Sequence, residues 1–144
     1  MTAFSWKTDK ARQSWNEVVA LKAPPDRGGG ARRENPLARS APRYYQARAQ
    51  QKLGGADDVK AAFHELVNSG NAALKQSDNT DDTAPPSGDR QLSRGRAATA
   101  HYIAGLGCAG LDEKENARKE FAAALASSPD HLGAKIALEQ LNMP

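Results

Sequence analysis

The chain reads as an all-α protein assembled from helical hairpins. Two observations predict this class. Apolar residues recur at i, i+4, i+7 and i+8 along most of the periodic stretches, the spacing that gives a helix one face to bury. Ala and Gly are plentiful while β-branched residues are scarce and aromatics are 6 %, a balance that favours helix over strand. With 144 residues the chain is long enough for one domain with a core of its own.

Taken in order, residues 8–22 (TDKARQSWNEVVALK) predict a helix that Thr8 or Asp9 can cap. Its stripe is Trp15, Val18, Val19 and Leu21, and Pro24-Pro25 closes it. Residues 24–39 (PPDRGGGARRENPLAR) predict a loop. The three glycines do not make a phosphate-binding loop, because no Lys-Ser/Thr follows and no strand precedes. Residues 40–73 predict a hairpin: a first helix through Leu53, a turn at Gly54-Gly55, and a second helix from Asp57 through Val67, with two readings of its end, a stop at Gly70 or a helical turn prolonged through Ala72 to Leu74.

Residues 75–96 (KQSDNTDDTAPPSGDRQLSRGR) are polar and without period, which predicts a disordered or mobile insertion. Residues 98–131 predict a second full hairpin. ATAHYIAGLGCAGL is its first helix, Asp112-Glu113 its acidic turn, and Ala117, Phe121, Ala124 and Leu125 the stripe of its second helix, stopped by Pro129. Gly105, Ala109, Ala117 and Ala124 are small enough to let the two helix axes approach. Residues 132–142 predict a terminal helix in which Ile136, Leu138 and Leu141 cover the last hairpin.

The stretch from Ala98 resembles the tetratricopeptide repeat. Gly105, Ala117, Phe121, Ala124 and Pro129 fall on that motif's small, aromatic and proline places, whereas His101, Ala104 and Cys108 stand where it has Trp, Leu and Tyr. Aligning Phe63 with Phe121 lays Ala47 on Gly105, Val59 on Ala117, Leu66 on Ala124 and Val67 on Leu125. Ala11, Trp15, Val18 and Val19 share those offsets, so 8–22 corresponds to the second helix of a partial repeat. Ala11 to Val59 is 48 residues and Val59 to Ala117 is 58, exceeding a repeat of about 34 by roughly the two loops. The resemblance implies a short right-handed solenoid of about two and a half repeats, closed by a C-terminal capping helix. It also implies a fragment of a larger protein. The hairpin sequences further resemble the tail of certain large bacterial proteins of unassigned function that carry a sugar-mutarotase-like front region.

Charge is uneven along the chain. Residues 1–55 hold eleven Lys/Arg against four Asp/Glu, a balance of +7, and residues 56–144 hold nine against thirteen, a balance of −4. One cysteine, Cys108, excludes an internal disulfide and lies on an apolar helix face, where a buried thiol is expected. No run reaches the length of a membrane helix and no secretory leader is visible, so the expected setting is cytoplasmic.

No catalytic constellation stands out. His64, His101 and His131 lack metal-ligand spacing, so neither a metal nor another cofactor is expected. The acidic pairs Asp57-Asp58, Asp81-Asp82 and Asp112-Glu113 fall at turns or helix starts, where capping accounts for them.

The resemblance therefore implies a non-catalytic scaffold that binds a protein or peptide, or another domain of its parent, on the concave face of the first helices. The outward places there are Tyr44, Arg48 and Gln51, then Thr99, Tyr102 and Leu106. The chaperone-tail-binding members of this family clamp a carboxylate with paired Lys and Asn. Those places here hold Tyr44, Arg48, Tyr102 and Leu106, and that activity is not carried over. Two rival readings are a structural appendage of a carbohydrate-active bacterial protein and nucleic-acid binding through Arg27, Arg32, Arg33, Arg39, Arg43 and Arg48. The second is the weaker, since no nucleic-acid module accompanies the charge. A homodimer through the N-terminal edge around Trp15 is the further expectation for the open end.

Overall fold

A computed structural model describes residues 5–20, 37, 40–54, 56–78 and 88–143. Among the described residues there are six helices and no strand: α1 (Ser5–Ala20), α2 (Ser40–Leu53), α3 (Ala56–Asp78), α4 (Gly88–Gly110), α5 (Lys114–Ser127) and α6 (Leu132–Asn142). Each helix packs on its neighbour in sequence, most extensively α3 on α4 and α4 on α5. Contacts between α2 and α4, and between α4 and α6, set those three helices side by side.

The core forms where small residues let helix axes close. A methyl group added at Gly107 would lie 2.7 Å from the Phe63 carbonyl oxygen and 2.6 Å from Val67 Cγ2, both on α3. At Gly110 it would collide with the Phe63 ring, and at Gly105 it would lie 2.6 Å from the Phe121 ring of α5. Helix α4 is thus clasped from two sides by two phenylalanines, each buried to within 1 % of full exclusion from water. Burying each ring contributes roughly 1.5–3 kcal/mol.

Burial repeats between the two hairpins position by position. Val59 and Ala117, Phe63 and Phe121, and Leu66 and Ala124 are buried pairs, and Val67 and Leu125 are both half-buried. The aromatic contacts repeat as well: Tyr44 lies 5.9 Å from Phe63, and Tyr102 lies 6.0 Å from Phe121. Arg43 on α2 bonds Glu65 on α3 at 2.9 Å, while His101, at the corresponding place on α4, meets Glu120 on α5 at 2.8 Å. In α1 the matching residues Ala11, Trp15, Val18 and Val19 are only half-buried, because the described residues supply one packing partner, α2.

Chain reversals follow local chemistry. Gly54 has φ +100°, a left-handed conformation that ends α2 and that a Cβ would strain. At the end of α4, Asp112 takes φ 64°. Its N–H donates to Ala109 O at 3.3 Å and the Glu113 N–H donates to Cys108 O at 2.9 Å, the paired bonds of a Schellman stop. Pro129 follows the end of α5, as its missing N–H requires.

Several boundaries differ from the expectation. Helix α1 begins at Ser5, ahead of Thr8, and residues 21 and 22 lie outside the described residues. Gly70 does not stop α3. It is buried in mid-helix, where an added methyl would lie 2.6 Å from the Ala100 carbonyl oxygen, so its role is close approach to α4. The run 75–96 is helical over 75–78 and 88–96, and residues 79–87 lie outside the described residues. A helix nucleated by packing extends through Arg90, Gln91, Arg94 and Arg96 without an apolar stripe, because these long side chains are good helix formers. The loop expected at 24–39 also lies outside the described residues except Leu37, which is buried in the core.

The glycines of α4 separate two effects. Gly107→Ala is expected to lower unfolding stability by about 1–3 kcal/mol through overpacking against backbone. Gly95→Ala, where nothing lies within 4 Å, is expected to raise it by about 0.5–1 kcal/mol through helix propensity. Urea denaturation midpoints of both variants check the opposite signs.

Candidate binding cleft

Between α2, α4 and α6 runs an open cleft of about 320 Å³. Three helical stripes build it. Tyr44, Tyr45 and Arg48 come from α2, and Tyr102, Leu106 and Ala109 come from α4 at i, i+4 and i+7. Gly133, Ile136, Ala137 and Gln140 come from α6. Phe121 reaches the cleft from α5, and Asp112 and Lys114 stand at the α4–α5 turn.

The tyrosines are fixed by what they touch. The Tyr44 ring sits edge-on to Tyr45, with centroids 5.3 Å apart, and also packs on the Phe63 ring. Tyr102 rests between Phe121 and the His131 ring, whose centroid is 4.9 Å away. Burial raises the Tyr102 phenol well above its usual value, and the neighbouring Tyr45 and Tyr44 phenols add to the shift. Burial also raises Tyr44, partly offset by the Arg48 guanidinium. Tyr45 itself is 56 % exposed and presents a large apolar surface to solvent.

Four of the six outward residues read from the sequence, Tyr44, Arg48, Tyr102 and Leu106, line this cleft. Gln51 and Thr99 are not among its lining residues. Gln51 accepts a bond from Arg48 Nη1 at 3.1 Å, and Thr99 donates its hydroxyl to the Gly95 carbonyl of its own helix at 2.9 Å. Ala109 lines the cleft beside Phe121 of α5, and Gly105 closes on the Phe121 ring.

The sequence reading missed Tyr45, Lys114, Ile136 and Gln140. Two of these belong to α6, which reads from sequence as a cover for the last hairpin. Its i, i+3 and i+4 spacing carried the signal that α6 also presents a face beside α4.

The remaining groups are held elsewhere. The three histidines are spread over α3, α4 and the turn before α6. His64 is exposed, His101 pairs with Glu120 and His131 caps α6. Among the described residues no group of three or more His, Cys, Asp or Glu is placed to hold a metal ion. Cys108 is buried, and that burial raises its thiol above the usual range. Arg118 of α5 donates to the Leu141 carbonyl at 3.2 Å, placing a cation at the C-terminal end of α6, where the helix dipole favours one. Of the arginines considered for nucleic acid, Arg27, Arg32, Arg33 and Arg39 lie outside the described residues, and Arg43 is paired with Glu65. Among the described residues no helix is long and apolar enough to cross a membrane.

No protein-family model matches this chain, and neither a curated protein nor a solved structure matches it.

The buried phenols predict an alkaline response of definite sign. A phenol whose folded pKa is raised contributes stability that is fully present below the unfolded value of about 10 and is lost as pH rises through the folded value. The melting temperature should therefore fall above about pH 10, and Tyr102→Phe should flatten that fall relative to wild type. Melting curves at stepped alkaline pH check it.

Proposed function

We propose that this chain is a non-catalytic interaction module, a tetratricopeptide-like solenoid whose α2–α4–α6 cleft takes an extended segment of another protein or of a neighbouring domain. The observation that carries this reading is the lining of the cleft. Three phenols, aliphatic side chains and an arginine converge on one concave strip. Tyrosine offers broad apolar contact with few rotamers to freeze, and Arg48 offers a forked donor, the residue types that dominate binding energy at protein interfaces. The lining holds no histidine, serine or cysteine, which suits recognition better than nucleophilic or acid–base chemistry. The repeated Tyr–Phe pairs and matched burial of the two hairpins support the solenoid. Arg48 and Lys114 against Asp112 leave the cleft with a positive balance that favours acidic over basic segments.

A random-peptide display library panned on the folded chain tests the proposal, with each enriched peptide then measured against Tyr45→Ala and Arg48→Ala. Both side chains are outside the buried core, so the variants are expected to fold. Loss of at least about tenfold in affinity for one of the two, or roughly 1.4 kcal/mol, is the expected result. Failure to enrich any peptide, or binding indifferent to both substitutions, would contradict it.

A further inference from the structure

We infer that His131 is an acid-sensitive latch on α6, the helix that forms one wall of the cleft. His131 occupies the N-cap of α6, and its Nδ1 accepts the Ala134 backbone N–H at 3.1 Å. An amide N–H can only donate, so this bond requires Nδ1 without a proton, and therefore a neutral ring whose proton is on Nε2. Protonation converts the acceptor into a second donor. It also sets a positive charge against the positive end of the α6 dipole. Both effects act in one direction and release the first turn of α6.

The surroundings connect that turn to the cleft. The Tyr102 phenol of α4 lies against the imidazole, and Tyr45 of α2 lines the same cleft as Tyr102. In the local chain, Asp130 precedes the ring and Lys135 follows one turn later, while the end of α5 brings only Ser127 and Ser128 to the connecting turn. Of the nearest charged residues along α5, Glu120 pairs with His101, Arg118 bonds Glu115 and the far end of α6, and Lys119 is exposed. Within the first turn, Gly133 lies so close to the Tyr102 ring that an added methyl would be 2.9 Å from Cζ. When the turn loosens, Tyr102 loses that backing, and Ile136 and Ala137 shift with the helix. The effect on ligand capture rests on the binding reading above; the latch itself does not.

The test compares wild type, His131→Asn and His131→Ala by amide hydrogen exchange in α6, at about pH 8 and about pH 5, the span over which an imidazole changes charge. Variants are compared at equal pH so that intrinsic exchange rates cancel. Asn can cap at any pH and Ala cannot. At the higher pH, wild type and Asn should protect α6 alike, and Ala should open it about fivefold more often, the effect of one cap. At the lower pH, wild type should fall to the Ala level while Asn holds. His64 and His101 are present in all three proteins, so their contribution cancels in the comparison. Wild type and Asn keeping a constant ratio at both pH values would overturn the inference, as would Ala matching wild type at the higher pH. A library selection that yields no peptide leaves this result unaffected.

Discussion

Two phenylalanine rings laid on the glycines of α4 are the constraint from which the rest of this structure follows. The Phe63 ring fills the space left by Gly110, Phe121 fills the space left by Gly105, and Val67 with the α3 backbone closes on Gly107. A helix bearing Cβ atoms at those places would stand off from α3 and α5, leaving both rings with gaps that forfeit much of their dispersion contact. Glycine within a helix costs roughly 0.5–1 kcal/mol relative to alanine. The burial of Phe63 and Phe121, with Val59 and Ile103 beside them, offsets that cost.

The closeness of these seams also fixes where α2, α4 and α6 lie. Each tyrosine at the front of a hairpin leans on the phenylalanine behind it, Tyr44 on Phe63 and Tyr102 on Phe121. The phenols are therefore held at the cleft surface by the same rings that seal the core. A change at Gly105 or Phe121 should be felt at Tyr102, which couples stability to the proposed recognition surface. The ends of α6 are tied independently, by His131 at its start and by Arg118 at its finish.

Much of this was legible in the sequence, where residues report on their own packing. The offset that lays Phe63 on Phe121 also pairs Val59 with Ala117 and Leu66 with Ala124, and the burial of each pair agrees. Gly54 and Pro129 marked their turns because φ > 0 and a missing N–H are properties of single residues. Gly70 left the end of α3 open between two readings, because a helix-ending glycine and a close-approach glycine look alike until the facing helix, here Ala100 and Ala104, is known. The polar extensions of α3 and α4 were hidden because they carry no apolar period. The cleft was half visible: its α2 and α4 walls follow from helical spacing, but Ile136 and Gln140 required the lateral contact of α4 with α6. The cap made by His131 depends on ring orientation, which spacing does not encode.

The α-proton chemical shifts of Gly105 and Gly110 measure the central constraint directly. Stacked against Phe121 and Phe63, both glycines should show ring-current displacement far from random-coil values, with cross-relaxation to the aromatic protons of those same two rings. Random-coil shifts at both glycines, with no such cross-peaks, would contradict the account.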